Sequence, residues 1–291
     1  MTNHELPPIL TGAADLLMQY DVLFCDVWGV VHDGHWALPD AADALTRFRN
    51  NGGTVILVSN APVPNHQVAN MLDERRLPRE AWDDIVSSGD LALEHITDQH
   101  FKTLFPIGPQ DRDAALFDEV RTLTESLSEA DAILCSGLND DINETAETYR
   151  PLLDAAHAQG TPFVCANPDL VVDVGGTLYL CAGAIADLYE QIGGKVFWAG
   201  KPFRIAYEAA HNKAQNLRQA TVTTSKILVV GDSVRTDLKG AQNFEVDALF
   251  IAGGIHREEV MHGATIAPDR LGEVLKPGTP PAVAAMPHLA W

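Results

Sequence analysis

Residues 24–34 read FCDVWGVVHDG and residues 227–241 read ILVVGDSVRTDLKGA, and these two stretches decide the fold. Each is an apolar run that stops abruptly at a carboxylate, Asp26 in the first and Asp232 in the second. Apolar runs of this length are typical of buried strands in a parallel sheet. Open α/β sheets bind ligands at the carboxyl ends of their strands, so we expect both carboxylates at one ligand-binding edge.

Two carboxylates that converge on one crevice repel each other unless a cation lies between them. Hard oxygen ligands of this kind suit Mg2+, which makes Asp26 and Asp232 candidate metal ligands. The alternative is that each aspartate only caps the helix that follows its strand. That alternative weakens when the two stretches are considered together with the chain between them.

The chain alternates between strand-like apolar runs and helical stretches, a pattern typical of βαβ units on a parallel sheet. Helices are predicted over 40–52, with Asp40 as the cap, and over 143–160, with Pro151 as a kink or a new start. The strand-like runs are 22–27, 54–60, 84–89, 102–108, 132–137, 162–169, 195–200, 226–232 and 248–254. This many strands favours two α/β layers. Residues 276–291 are rich in Pro and Ala, which predicts an extended surface tail.

The bulk composition indicates a globular protein with ample material for a core. The 291 residues are 46% hydrophobic and 21% charged, with a formal net charge of −20. A chain of this sign is repelled by nucleic acid and by anionic membranes, so we expect neither as a partner. The N-terminus lacks the features of a signal peptide and the four cysteines are isolated, so we expect a cytoplasmic protein with reduced thiols.

Further chemistry-bearing residues fall at other predicted strand ends or a few residues beyond one. Ser59 and Asn60 close the run TVILVSN, Lys201 follows the run that ends at residue 200, and Asp237 lies five residues after Asp232. Together with Asp26 they make a set that suits phosphoryl transfer. A carboxylate can attack phosphorus, a divalent cation shields the repulsion, and a hydroxyl and an ammonium hold the equatorial oxygens.

This joint pattern resembles the haloacid-dehalogenase-like superfamily, and its NagD-like class IIA branch in particular. The residues of the resemblance are DVWGVVHDG, VSN, the lysine of GKP, GDSVRTDLKGA and the ANPD segment at 166–169. The resemblance implies an α/β fold with a Rossmann-like parallel-sheet core and a large inserted α/β cap. The expected domains are core 1–87, cap 88–188, and core 189–291 with the C-terminal tail.

The resemblance also implies roles for individual residues in a Mg2+-dependent phosphohydrolase that acts through an aspartyl phosphate. Asp26, Ser59 and Lys201 are the expected catalytic residues. The metal ligands are expected to be Asp26, the Trp28 carbonyl, Asp232 and Asp237. A phosphorylated small molecule is the expected substrate, and a homodimer is one alternative for the assembly.

Three residues are candidates for contact with the substrate. Asn60 follows the Ser59 position, and Asn167 and Asp169 belong to the ANPD segment of the expected cap. Asn-Pro is also an ordinary turn-forming pair, so a purely structural role for this segment stays open.

One departure from the family pattern bears on the mechanism. The residue two beyond the nucleophile is Trp28, where phosphatases of this superfamily have a second aspartate as general acid and base. An indole N–H cannot do that work. Another group such as His32 or Asp33 then supplies the proton, or the substrate has a good leaving group. In the third alternative the protein is a catalytically weak Mg2+ and phosphate-ligand binder.

Overall fold

The structure, a computed structural model, describes residues 6–291. Each predicted strand-like run contains a strand, and each of these strands is shorter than its run. The strands are β1 (Val22–Cys25), β2 (Thr54–Ser59), β3 (Asp84–Ser87), β4 (Thr103–Ile107), β5 (Thr122–Leu123), β6 (Ala132–Cys135), β7 (Phe163–Cys165), β8 (Val171–Val174), β9 (Thr177–Leu180), β10 (Val196–Trp198), β11 (Ile227–Gly231), β12 (Asp247–Ile251), β13 (Met261–His262), β14 (Thr265–Ile266) and β15 (Ala284–Met286).

Helices occupy most of the connections between these strands. They are α1 (Ala14–Leu17), α2 (Pro39–Asn50), α3 (Asn65–Glu74), α4 (Ser88–Asp98), α5 (Ala114–Phe117), α6 (Arg150–Gln159), α7 (Ala182–Gln191), α8 (Arg204–Arg218), α9 (Lys239–Phe244), α10 (Arg257–Val260) and α11 (Pro268–Val274). Short 3-10 turns cover Arg79–Ala81, Leu127–Glu129, Ala146–Tyr149 and Thr224–Lys226, and a π-helical turn covers Val234–Leu238. None of the helices within residues 6–291 is long and apolar enough to cross a membrane.

The chain divides into two compact units, the first of which is built on a six-stranded sheet. This unit comprises Met1–Ser59, Ala69–Val86 and Lys201–Trp291, and we call it the six-stranded unit. Its strand order is β15-β12-β11-β1-β2-β3, and β1 is paired in parallel with both β11 and β2. Strand β1 is buried over its whole length. The strands before Asp26, before Asp232 and up to Ser59 therefore end side by side.

The second unit, which we call the five-stranded unit, comprises Asn60–Val68 and Ser87–Gly200. Its parallel sheet has the order β10-β7-β6-β4-β5, with an antiparallel hairpin formed by β8 and β9. The predicted α/β fold, a parallel-sheet core with an inserted α/β unit, is confirmed. The structure differs from the predicted boundary at residue 188, because β10 pairs with β7 and so belongs to this sheet.

Proline and glycine explain both ends of α2 and the start of α6, and the structure corrects one predicted cap. In α2, Pro39 occupies the first helical turn, where a missing N–H costs nothing. Asp40 therefore lies inside that turn instead of capping it, while Gly52 ends the helix with a φ of 90°. Pro151 restarts the chain as α6 after the 3-10 turn, which was one of the two predicted outcomes.

The C-terminal segment differs from the predicted surface tail. Residues 284–286 form β15, all three residues are buried, and the strand pairs in parallel with β12 at the edge of the six-stranded sheet. On its other side, Ala285 of this strand forms an isolated parallel bridge with Ile9. The low periodicity of the segment conceals a strand because that strand is only three residues long.

Candidate active site

The candidate site lies at the carboxyl edge of the six-stranded sheet. Cys25, the last residue of β1, is in register with Val230 of β11 and with Leu57 of β2. Asp26 and Asp232 therefore follow neighbouring strands, and Ser59, which is 9% exposed, ends the strand on the other side of β1. The parallel pairing thus brings together residues that are far apart in sequence, as the strand-end argument predicts.

Lys201 links two of the carboxylates. Its Nζ lies 2.6 Å from Asp26 Oδ1 and 2.7 Å from Asp237 Oδ1, and the side chain is 3% exposed. Burial alone would lower the pKa of this lysine, but the charges of Asp237 and Asp26 outweigh it and hold the pKa well above the usual value. Lys201 is therefore a permanent cation between two carboxylates.

Asp232 is enclosed by backbone. A Cβ atom on Gly254 would lie 1.8 Å from Asp232 Oδ2, and one on Gly29 would lie 2.2 Å from the same oxygen. The Ile255 N–H donates to Asp232 Oδ2 at 2.7 Å. Burial, and then the charges of Asp26 and Asp237, raise the pKa of Asp232 well above its ordinary value. Two glycines thus allow a carboxylate to occupy a place where charge is costly.

These carboxylates fit a divalent cation. Ligand oxygens of Asp26, Asp232 and Asp237 lie within 4.8 Å of one another. With all three carboxylates ionised, their three negative charges against the one ammonium of Lys201 would leave two negative charges in excess. An all-oxygen donor set with a twofold negative excess matches the preferences of Mg2+ and similar hard cations.

Asp237 is fixed by the turn that contains it. It is fully buried, lies in the π-helical turn Val234–Leu238, and accepts a hydrogen bond from the Ser233 N–H at 3.1 Å. The Tyr207 hydroxyl donates to the backbone carbonyls of Thr236 and Asp237, at 3.4 and 3.3 Å. Single π turns are frequent at functional sites, and this one directs Asp237 toward Lys201.

The turn after Asp26 is held by the side chain of Trp28. Its indole lies edge-on against His32, with ring centroids 5.0 Å apart, and a Cβ on Gly34 would come within 2.8 Å of the indole. His32 Nδ1 accepts a hydrogen bond from the Gly34 N–H. Burial, assisted by the charge of Arg75, lowers the pKa of His32 to about 4.

The two predicted substitutes for the missing acid both shape this turn. Asp33 Oδ1 accepts hydrogen bonds from the backbone N–H groups of His35 and Trp36, which lowers the pKa of its carboxyl. His32 is neutral at pH 7 and its Nδ1 is an acceptor in the turn. These hydrogen bonds give both residues a structural role in the turn.

The remaining candidates belong to the five-stranded unit and are bonded to one another. Asn60 Nδ2 donates to Asp169 Oδ1 at 3.0 Å, and Ser88 Oγ donates to Asn60 Oδ1 at 3.3 Å. Asn167 Oδ1 accepts from the Asp169 N–H at 3.1 Å. A Cβ on Gly200 would lie 2.2 Å from Ser88 Oγ, so this polar cluster also depends on a glycine.

Comparison with known proteins agrees with this geometry. Residues 23–121 match the family model described as haloacid dehalogenase-like hydrolase, and residues 198–276 match one described as HAD-hydrolase-like. A crystal structure of a haloacid dehalogenase-like family hydrolase from Brucella suis 1330 is 38% identical, with a TM-score of 0.83 over 98% of this chain and 100% of that one. The chain belongs to the haloacid dehalogenase-like family.

More distant relatives identify the branch of that family. Ribonucleotide monophosphatase NagD of Escherichia coli is 26% identical over 80% of this chain and 88% of its own length. The acid sugar phosphatase of Staphylococcus epidermidis is 24% identical over 87% of this chain and 94% of its own. The predicted membership of the NagD-like branch is confirmed, and the chain is a phosphatase of the haloacid dehalogenase-like family.

Sequence reasoning missed the residues that support the carboxylates. Gly29 has no signal in the sequence that marks it as a support for a carboxylate, and Gly254 is the last residue of the predicted run 248–254. Tyr207 has no recognisable signal, because a tyrosine in an amphipathic helix is ordinary core. The pair Gly253–Gly254, one residue after the end of β12, is the visible signal of a close approach.

Replacing Asp232 with asparagine should separate two effects on stability: the repulsion between the carboxylates, which destabilises the fold, and cation binding, which stabilises it. In EDTA, Asp232→Asn should unfold at a temperature equal to or above that of the unmodified protein, because one repelling charge is gone. With Mg2+ at 100 times its Kd, the unmodified protein should gain about 2.7 kcal/mol in unfolding free energy and the variant much less. Thermal and urea unfolding measure both effects.

Asp43→Asn is the matched control, since it removes an exposed carboxylate paired with Arg47. It should change stability by no more than about 0.5 kcal/mol and leave the response to Mg2+ intact. An Asp232→Asn variant that is destabilised in EDTA yet stabilised normally by Mg2+ would contradict the assignment of this site.

Proposed function

We propose that this phosphatase is a Mg2+-dependent phosphohydrolase of small phosphorylated metabolites that works through an aspartyl phosphate on Asp26. The observation that carries the proposal is the position of Lys201, within hydrogen-bond distance of Asp26 and Asp237 in a cluster with Asp232. A nucleophile, a permanent cation and a set of hard oxygen ligands are thereby combined at one strand edge.

Asp26 is oriented to act as the nucleophile. Its Oδ1 receives the Lys201 ammonium and the Val27 N–H, at 2.6 and 2.7 Å. In the proposed reaction a carboxylate oxygen of Asp26 bonds to phosphorus while the ester P–O bond breaks, and the leaving group takes the electron pair. Water then attacks the same phosphorus, which releases phosphate and regenerates the carboxylate.

Other residues hold the phosphoryl group and the cation. Ser59 and Lys201 would bind the equatorial oxygens, where charge accumulates in the transition state. Asp26, Asp232, Asp237 and the Trp28 carbonyl would hold Mg2+. Bound Mg2+ supplies charge neutralisation between the carboxylate and the phosphate dianion.

The five-stranded unit is the proposed cap, and its polar cluster is the proposed substrate-binding set. Asn60, Asn167 and Asp169 are already joined by hydrogen bonds, which would hold them in fixed orientations. Which metabolite the enzyme prefers is a matter for a substrate screen. The cytoplasmic location and the homodimer stay predictions.

The proposal requires turnover that depends on Asp26. Screening the full chain with Mg2+ against sugar phosphates, nucleotides, aryl phosphates and phosphoglycolate should show repeated phosphate release for at least one class. Asp26→Asn should lower kcat by about 10³-fold or more, because no covalent intermediate can form. Phosphate release measured by a coupled assay reports both.

The opposite outcome identifies a binding protein. If no ester is turned over above the Asp26→Asn background while Mg2+ and inorganic phosphate still bind, the fold has kept its ligands without the reaction. Trapping by beryllium fluoride on Asp26 distinguishes the two cases, because a reactive carboxylate forms the adduct.

Trp28 should make the rate depend on the leaving group. A phenolate departs without a proton, whereas an alkoxide does not, so an aryl phosphate should be hydrolysed faster than an alkyl phosphate. Trp28→Asp should raise the alkyl rate, by up to about 10²- to 10⁴-fold, more than the aryl rate. Steady-state kinetics on both esters give the ratio.

Trp36→Asp is the control, because Trp36 is 55% exposed and lies in the same turn. It should leave the ratio of aryl to alkyl rates unchanged. Equal rates on both esters in the unmodified protein would mean that another residue already delivers the proton.

A further inference from the structure

The C-terminal segment is built into the six-stranded sheet. Beyond the pairing of β15 with β12, the Ala252 N–H donates to the Met286 carbonyl at 2.9 Å and the Gly253 N–H donates to the Pro287 carbonyl at 2.8 Å. On its other side, Ala285 N–H donates to the Pro8 carbonyl and Leu289 is fully buried. The segment is therefore held from both sides.

Gly253 is pressed against this segment. A Cβ on Gly253 would lie 2.4 Å from the Pro287 carbonyl oxygen and 2.4 Å from the His288 ring. The φ of Gly253 is outside the left-handed region, so close approach and not backbone conformation makes this position intolerant of a side chain. The loop after β12 is therefore in direct contact with residues 287–288.

The next residues of the same loop enclose Asp232. Gly254 is packed on the Asp232 carboxylate so closely that a Cβ would overlap Oδ2, and the neighbouring Ile255 N–H donates to that oxygen at 2.7 Å. Gly254 Cα also lies 3.3 Å from where a Gly29 Cβ would be, which closes the other side. One continuous set of backbone contacts thus runs from Pro287 to a carboxylate oxygen.

We infer that residues Pro287–His288 are positioning residues for the metal centre, because they fix the loop Gly253–Ile255 that orients Asp232. The inference rests on the proposed function, in which Asp232 is a Mg2+ ligand. It assigns a task to a segment that lies outside both matched family models, which end at residue 276. Residues that orient metal ligands typically change metal affinity about 10- to 100-fold when they are replaced.

The test is the Kd for Mg2+ of the full-length protein and its variants, measured by isothermal titration calorimetry with MgCl2. Gly253→Ala forces the loop away from the Pro287 carbonyl, and deletion of residues 287–291 removes that carbonyl. Both should raise the Kd about tenfold or more. Saturating Mg2+ should restore the substrate KM, because the phosphoryl-binding residues are untouched.

Val55→Ala is the control for lost stability. Val55 is fully buried in β2, four residues and about 13 Å before the strand end that bears Ser59. It should lower the unfolding temperature without changing the Mg2+ Kd. His288→Ala gives a second variant, since its side chain is exposed and folding should be preserved, and its Kd should rise less than that of Gly253→Ala.

The outcomes separate the inference from the proposed function. If the variants bind Mg2+ as tightly as the unmodified protein while Asp232→Asn does not bind it, the segment only stabilises the sheet and the inference is wrong. If the unmodified protein binds no Mg2+, the proposed function fails and the inference fails with it.

Discussion

The carboxylates of Asp26, Asp232 and Asp237 are crowded around the ammonium of Lys201, with ligand oxygens within 4.8 Å of one another. Burial removes the water that would otherwise screen them, so like charges in this cluster raise each other's free energy. The surrounding structure opposes this repulsion with Lys201, with the Ile255 N–H and with a π-helical turn. The glycines are required for the same reason, since they leave room for oxygen atoms where side chains would collide.

Part of this cluster could be predicted from sequence, because its residues follow buried strands. Apolar runs ending in a carboxylate identify strand ends, and parallel strands present those ends at one edge, so the proximity of Asp26 and Asp232 followed from pattern alone. The place of Asp237, which lies in the turn after β11, was implied by the family resemblance. Lys201 also follows a predicted strand, but that strand, β10, lies in the five-stranded sheet, so a shared edge does not explain its place. Ser59, at the end of β2, was found by the same rule as the two aspartates. The rule succeeds because buried strands leave a strong apolar signal and their order need not be known.

Features that depend on pairing between distant segments could not be predicted in this way. β10 joins the five-stranded sheet because it pairs with β7, which moves the end of that unit from residue 188 to Gly200. β15 has only three residues, too few to show a periodicity, yet it forms an edge strand. The bond between Asn60 and Asp169 joins residues 109 positions apart. In each case the structure is decided by a tertiary contact that leaves no local signature in the sequence.

A crystal structure of the full chain grown at saturating Mg2+ tests the central claim, that the charge excess of this cluster is compensated by a divalent cation. The account predicts an octahedral ion about 2.0–2.1 Å from oxygens of Asp26 and Asp232 and from the Trp28 carbonyl. The claim would be contradicted if the cluster showed no density for an ion at saturating Mg2+, or if the ion were bound elsewhere.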